Sequence, residues 1–335
     1  MPLDRYLDHL ASTPNARGRL ASPASVRAAR ADLAGVIRWW EQRRAVTFAP
    51  DLLTETDILA WMQARQDAGA ANTTINRALH SLAAFCSWCV ASEQIARSPV
   101  ARIAMLPIIE QAPRGLVPEG LRWLLVAVDA QDDERQRLRD RALITLLADC
   151  GLRSAEAAAA ELRDLDLRGG TITVRAGKGG APRRVPLTQR TRSTLAAFVA
   201  DRCGTLPAPG HASEREPLLW GRPPASGRVW TPGMSTSAMR RRLIALRDAA
   251  IARVEAQQQR EPSLVRVGAL AEVSAALRTC SPHELRHGLA YRLRSDGVDL
   301  GVIRQILGHA RLETTVRYGK PTERDVRAAM EERVQ

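Results

Sequence analysis

Apolar positions recur at helical spacing through the first hundred residues, then lose their period, then return in a different mixture. Ser25 to Arg43 is amphipathic and opens after Ser22-Pro23, a start signal for a helix. Thr54 to Asp67 opens on Thr54-Glu55-Thr56-Asp57, whose side chains suit the free amides of a first helical turn. Asn72 to Glu93 carries Ile75, Leu79, Leu82, Ala83 and Phe85-Cys86 on one side, as a helix packing on a core would. Trp39, Trp40, Trp61 and Trp88 fall at helical spacing and are placed between these helices rather than stacked on bases. From Ile103 to Pro118 the period stops, and Pro107, Pro113, Gly115 and Pro118 predict an extended linker.

Helical pattern resumes at Glu119 and becomes mixed. Arg137 to Cys150 predicts a helix that runs into Gly151-Leu152-Arg153, and the alanine-rich Ser154 to Leu162 predicts another. Thr171 to Val174 alternates as a strand, Gly177-Lys178-Gly179-Gly180 reads as a turn, and Arg184 to Leu187 as the returning strand. Thr188 to Arg202 is helical, Cys203 to Ser235 is proline- and glycine-rich and reads as loop, and Ala238 to Gln257 is a basic helix. Glu261 to Cys280 is a further helix, and the chain from Pro282 is helical with breaks at Gly297 and Gly308. The division that follows is residues 1–106, a linker over 107–118, a second domain over 119–321 and a charged helical tail over 322–335.

Charge changes the picture. The formal net charge is +13, a level that points to a polyanion, most often nucleic acid. Arg27, Arg30, Arg38, Arg77, Arg240 and Arg241 are the candidate phosphate contacts, though many surface arginines are merely solvated. Of 49 basic residues only Lys178 and Lys320 are lysine. Arginine cannot give up its proton and lysine can, so Lys178, at a glycine turn, is a candidate proton donor. Lys320 would contact phosphate. The five cysteines are scattered; Cys86-x-x-Cys89 lies in an apolar, tryptophan-bearing stretch and reads as a buried face, not a zinc site. No apolar run approaches membrane-spanning length and the first residues lack a secretory core, which together predict a reduced cytoplasmic protein.

The densest chemistry lies late in the chain. His283-Glu284-Leu285-Arg286-His287, Leu307-Gly308-His309 and Tyr318 offer a nucleophile, proton-transfer groups and positive charge for a developing oxyanion. The order Arg153, Lys178, His283-x-x-Arg286, His309, Tyr318 resembles the tyrosine recombinase (phage integrase) family. Cys150-Gly151-Leu152-Arg153-Ser154-Ala155-Glu156 is similar to its first arginine box, although Ala155 stands where serine is frequent. Gly177-Lys178-Gly179 with Arg184-Val185-Pro186-Leu187 is similar to its lysine hairpin, and Thr314-Thr315-x-x-Tyr318 to its closing segment. The resemblance covers about residues 119–321.

It implies a mainly α protein of two domains: an N-terminal helical-bundle, SAM-like core-binding domain, and a mostly helical, mixed α/β catalytic domain with a small antiparallel sheet. It implies Tyr318 as nucleophile, Arg153 and Arg286 on the non-bridging phosphate oxygens, and His309 donating to the phosphate. Lys178 would be the general acid, while His283 would take the tyrosine proton or orient the group that does. His287 and Glu156 would support these from behind. It implies no metal and no cofactor, and a homotetramer on two specific duplex DNA sites, exchanging strands through a Holliday junction, with room for an accessory protein. The 322–335 tail would dock on a neighbouring subunit or fray, and the 203–280 segment is long for a minimal member, with room for an extra helix whose purpose stays open, a subunit contact being one reading. Two rivals use the same residues. His283-Glu284-Leu285-Arg286-His287 spells H-E-x-x-H, a zinc peptidase motif, with His309 or Glu313 as a third ligand. The other rival is an inactive DNA-binding relative.

Overall fold

The computed structural model describes residues 2–15, 18, 20–108, 115–175, 182–221 and 233–308. Two compact units divide the chain at residues 1–110 and 111–335. Among the described residues, no helix is long and apolar enough to cross a membrane.

The first unit is four helices: α1 (Pro2–Ser12), α2 (Pro23–Arg44), α3 (Glu55–Asp67) and α4 (Asn72–Ala91). Its core joins Leu33, Ile58, Leu79, Leu82 and Phe85, all fully buried. Trp40 and Trp61 are buried, and Trp39 and Trp88 pack half-buried against the same core. Cys86 and Cys89 lie on the buried face as free thiols, and desolvation pushes them up to about 12 and about 11. The helix α1 was not singled out from sequence, yet Tyr6 and Leu7 are core residues and Tyr6 meets Phe85 edge-on at 5.4 Å. Its signal was there in Leu3, Tyr6, Leu7 and Leu10, one apolar stripe only three turns long.

Asp57 is the polar keystone of this unit. It completes a capping box with Thr54 and accepts from Trp40 Nε1 at 3.1 Å and from Arg44 Nε and Nη2 at 3.0 Å each. Burial alone would raise its carboxyl; the hydrogen bonds from Thr54, Trp40 and Arg44 outweigh that and hold it low. Asp57→Ala is expected to cost about 2–3 kcal/mol, since it removes a cap and strands the buried Trp40 indole N–H together. Urea denaturation of the full chain followed by tryptophan fluorescence checks this, and an unchanged midpoint would refute it.

The second unit orders α5 (Pro118–Asp129), α6 (Glu134–Ala148), α7 (Ser154–Ala159), β1 (Leu165–Asp166), β2 (Thr171–Val174), β3 (Arg183–Pro186), α8 (Gln189–Cys203), α9 (Thr236–Arg260), α10 (Leu264–Arg278), α11 (Pro282–Ser295) and α12 (Leu300–Leu307). The strands form one antiparallel sheet, with Leu165 opposite Ile172 and Ile172 opposite Val185. The two-residue β1 was too short to leave a pattern. The helix α6 is central: Ala142, Leu143, Ile144, Leu146 and Leu147 are all buried.

Three sequence readings need adjustment. The helix α7 stops at Ala159, short of Leu162, because the Ala160 carbonyl turns to accept from Leu218 N at 2.7 Å and Glu161 N bonds Asp164 at 2.8 Å. Residues within the 203–235 stretch read as loop are core: Leu218, Leu219 and Trp220 are buried, with Arg139 4.7 Å from the Trp220 ring centre. No period announced them, because their burial is tertiary. The 103–118 linker is fastened at both ends. Asn76 exchanges two hydrogen bonds with Leu106, at 2.8 and 2.9 Å, while Leu116 is buried and donates to the Glu284 carbonyl at 3.2 Å.

Candidate active site

The site begins where α6 ends. Gly151 turns the chain at φ +62°, and a Cβ there would lie 2.8 Å from Leu307 and 2.9 Å from Leu289. Only glycine combines that backbone with so close an approach. Leu152 is then buried, and Arg153 arrives as the residue before α7.

Glu156, one turn on, binds Arg153 twice: its Oε2 accepts from Arg153 N at 2.9 Å and its Oε1 from Arg153 Nη1 at 2.7 Å. Arg153 Nη2 reaches the Gly308 carbonyl at 3.3 Å. Its side chain stays 42% exposed, so donor surface remains for a ligand.

The helix α11 brings the second arginine. Ser281 caps it, accepting from His283 N at 3.2 Å, and Pro282 occupies the first turn. Arg286, 2% exposed, points inward and donates to the carbonyls of Gly151 and Leu307, with Glu156 3.9 Å away. His283 stands on the outer side of the same turn. Partial burial lowers its pKa, and the nearby Arg286 and Arg153 charges lower it further, favouring the neutral ring that a proton acceptor needs. His287 packs edge-on to it, ring centres 4.2 Å apart.

The residue that sequence reasoning missed is Arg183, at the start of β3. It grips both Glu156 oxygens, at 3.1 and 2.8 Å, and bonds the Ile306 carbonyl at 2.9 Å. The Arg183-Arg184 pair left open which arginine faces inward; the strand pleat would have decided, since Arg183 shares a face with the buried Val185. Three guanidinium groups thus surround one carboxylate, leaving net positive charge for an anion. Burial would raise the Glu156 carboxyl, but Arg183 and the Arg153 amide hold it at about 2, against an ordinary 4.5. A carboxyl depressed on folding stabilises above its unfolded value and ceases to as pH falls toward the folded one. Glu156→Gln is therefore expected to be less stable than wild type at neutral pH, with the gap closing between about pH 4.5 and about pH 2. Urea midpoints across that range test it; a constant gap would exclude the linkage.

Of the other sequence candidates, Lys178, His309 and Tyr318 lie outside the described residues, as do Lys320, Glu313 and the 322–335 tail. Arg27, Arg38, Arg240 and Arg241 are exposed. Arg30 is engaged by Asp4 at 3.2 Å and Arg77 by the buried Asp32 at 2.8 Å, so both would contact phosphate while tethered.

The C-terminal part, residues 122–324, matches the phage integrase family, and residues 3–93 match the N-terminal SAM-like domain of phage integrases. The chain belongs to the phage integrase family. As a tyrosine recombinase it breaks and rejoins DNA strands in site-specific recombination. It is 31% identical to tyrosine recombinase XerC of Rhodospirillum centenum over 321 residues, covering 94% of this chain and 80% of that one. It is 29% identical to tyrosine recombinase XerD of Pseudomonas aeruginosa over 78% of this chain and 74% of that one. Its fold is that of the Tn1549 transposon integrase in complex with a circular intermediate DNA (TM-score 0.65, 18% identity, covering 99% of this chain and 98% of that chain). It is likewise that of a lambda integrase dimer bound to a core site (TM-score 0.64, 15% identity, covering 96% of this chain and 95% of that chain).

A zinc peptidase is not supported. Within His283-Glu284-Leu285-Arg286-His287, the Glu284 carboxylate is taken by the Ser281 hydroxyl and the central arginine is buried on the Gly151 and Leu307 carbonyls. Among the described residues no three metal-binding side chains gather.

Proposed function

We propose that the recombinase works through Tyr318, which attacks the scissile phosphate to leave a 3′-phosphotyrosine and a free 5′-hydroxyl. The observation that carries this reading is the convergence of Arg153 and Arg286 on Glu156, from positions more than 130 residues apart, with His283 beside them. Such preorganised cations suit the charge of a pentavalent phosphorus. Arg153 and Arg286 bind its non-bridging oxygens, and His309 adds a hydrogen bond. His283 accepts or relays the tyrosine proton, and Lys178 protonates the leaving 5′-oxygen. The phosphotyrosine conserves the bond energy, so no ATP is needed.

The substrate is duplex DNA at specific sites. The net charge of +13 supports this, as do the integrases of the same fold whose structures contain DNA. A homotetramer on two such sites exchanges strands in pairs through a Holliday junction, in the cytoplasm at the nucleoid, to integrate, excise or resolve a mobile element. Residues 1–106 and 119–321 act as the core-binding and catalytic domains, and the 322–335 tail docks on a neighbour.

The test is covalent trapping. Purified protein is mixed in EDTA with nicked duplexes tiled across the DNA on either side of its own gene, and the products are run on a denaturing gel. A metal-independent protein–DNA adduct is expected. Specific binding to one of these duplexes without any adduct would sink the cleavage mechanism and leave a DNA-binding relative.

A further inference from the structure

Arg183 is 10% exposed and is spent entirely on other parts of the site. Its Nη1 and Nη2 hold the two oxygens of Glu156, at 3.1 and 2.8 Å, and its Nε holds the Ile306 carbonyl at 2.9 Å. Its side chain also lies against Gly308. A Cβ on that glycine would fall 2.8 Å from Arg183 Nη1, and its φ of +63° already favours glycine. The neighbour Arg184 points the other way, 67% exposed, and meets Thr171 at 3.0 Å. One side chain thus joins three elements: the strand that follows Lys178 in the chain, the carboxylate behind Arg153, and the residues that lead into His309.

Glu156 has only two oxygens, and it shares them. Without Arg183, the carboxylate would be free to take a second prong of the Arg153 guanidinium, the paired geometry that arginine and carboxylate prefer. Arg153 would then present fewer donors to a phosphate. With Arg183 in place, Oε1 is divided between two guanidinium groups and Arg153 Nη2 is turned to Gly308 instead.

We infer that Arg183 is a positioning residue of the recombination reaction: it holds Glu156 so that Arg153 keeps donors for the scissile phosphate, and it fixes the backbone entering His309. This inference rests on the phosphate-binding role proposed for Arg153.

Wild type, Arg183→Lys, Arg183→Gln, Glu156→Gln and the Arg183→Gln/Glu156→Gln double variant are compared in two measurements on the full chain. The first is the rate of adduct formation on the nicked duplexes, with DNA affinity measured alongside. Arg183→Gln is expected to slow the adduct about 100-fold at unchanged DNA affinity, the scale of a small misplacement in a reacting geometry. Arg183→Lys keeps the charge without the two-pronged grip and falls in between, and it decides the matter if the glutamine variant does not fold. The double variant is expected to be slowed by less than the product of the two single losses, because both changes reach Arg153 through Glu156, while only Arg183 also holds the Ile306 carbonyl.

The second measurement titrates inorganic phosphate against the Arg153 side-chain NMR signal. Loss of Arg183 is expected to weaken phosphate binding about tenfold, the scale of one hydrogen bond to a charged group. A protein whose wild type forms no adduct but whose phosphate affinity falls in Arg183→Lys would refute the cleavage mechanism and keep the positioning role. Wild-type rates and phosphate affinity in both Arg183 variants would overturn the positioning role, as would losses that multiply in the double variant.

Discussion

Tyr318→Phe will bind DNA as wild type does and form no covalent complex. The substitution keeps the ring and removes only the oxygen that bonds phosphorus, so binding and assembly have no reason to change. Loss of a nucleophile from a preorganised site costs at least about 10⁴-fold in rate in well-studied cases. The chain has two other tyrosines. Tyr6 is 4% exposed in the first unit, where desolvation raises its pKa, so it serves packing. Tyr291 lies against Gly115, whose Cβ would come within 2.7 Å of its ring. Quantitative gel-shift and denaturing-gel assays on one nicked duplex separate the two effects. An adduct that survives in Tyr318→Phe would move the nucleophile, and Tyr291→Phe would be the next variant to make.

Arg286→Ala will lose activity and stability together. Its guanidinium supplies the only donors seen on the Gly151 and Leu307 carbonyls among the described residues. Stranding a buried acceptor costs about 1–3 kcal/mol each, so a drop of about 2–6 kcal/mol is expected in urea. In the mechanism proposed, the same group is a transition-state donor, and losing one such donor costs about 10²–10³ in rate. Arg286→Lys restores a charge but not the fork, and should recover some stability and little activity. If Arg286→Ala denatures at the wild-type midpoint, the two carbonyl contacts do not support the fold. If it cleaves at the wild-type rate, the charge is not used on the phosphate.

The helices were legible wherever an apolar stripe ran long enough. The helix α4 shows Ile75, Leu79 and Leu82 at helical spacing, and all three are buried. The run Thr54-Glu55-Thr56-Asp57 marked the start of α3, whose helix begins at Glu55 behind the Thr54 cap. What stayed hidden depends on contacts distant in sequence. Trp220 sits among prolines and glycines, and its burial comes from the core of the second unit and from Arg139, both distant in sequence. In the site, the motifs named Arg153, His283 and Arg286, because short fixed phrases surround them. Arg183 has no such phrase. Its role follows from a strand face and a shared carboxylate, which no local pattern records.

The way Arg153 and Arg286 are fastened has a consequence for the growing chain. Arg153 is held by the carbonyl of Gly308, 155 residues later, and Arg286 links Gly151 to Leu307. Contacts of such long sequence separation close late in folding. A nascent polypeptide, or one cut short before α12, therefore carries the first arginine without the backbone that aims it. On the proposed mechanism, competence to break DNA arrives only when synthesis has passed both halves of the clasp.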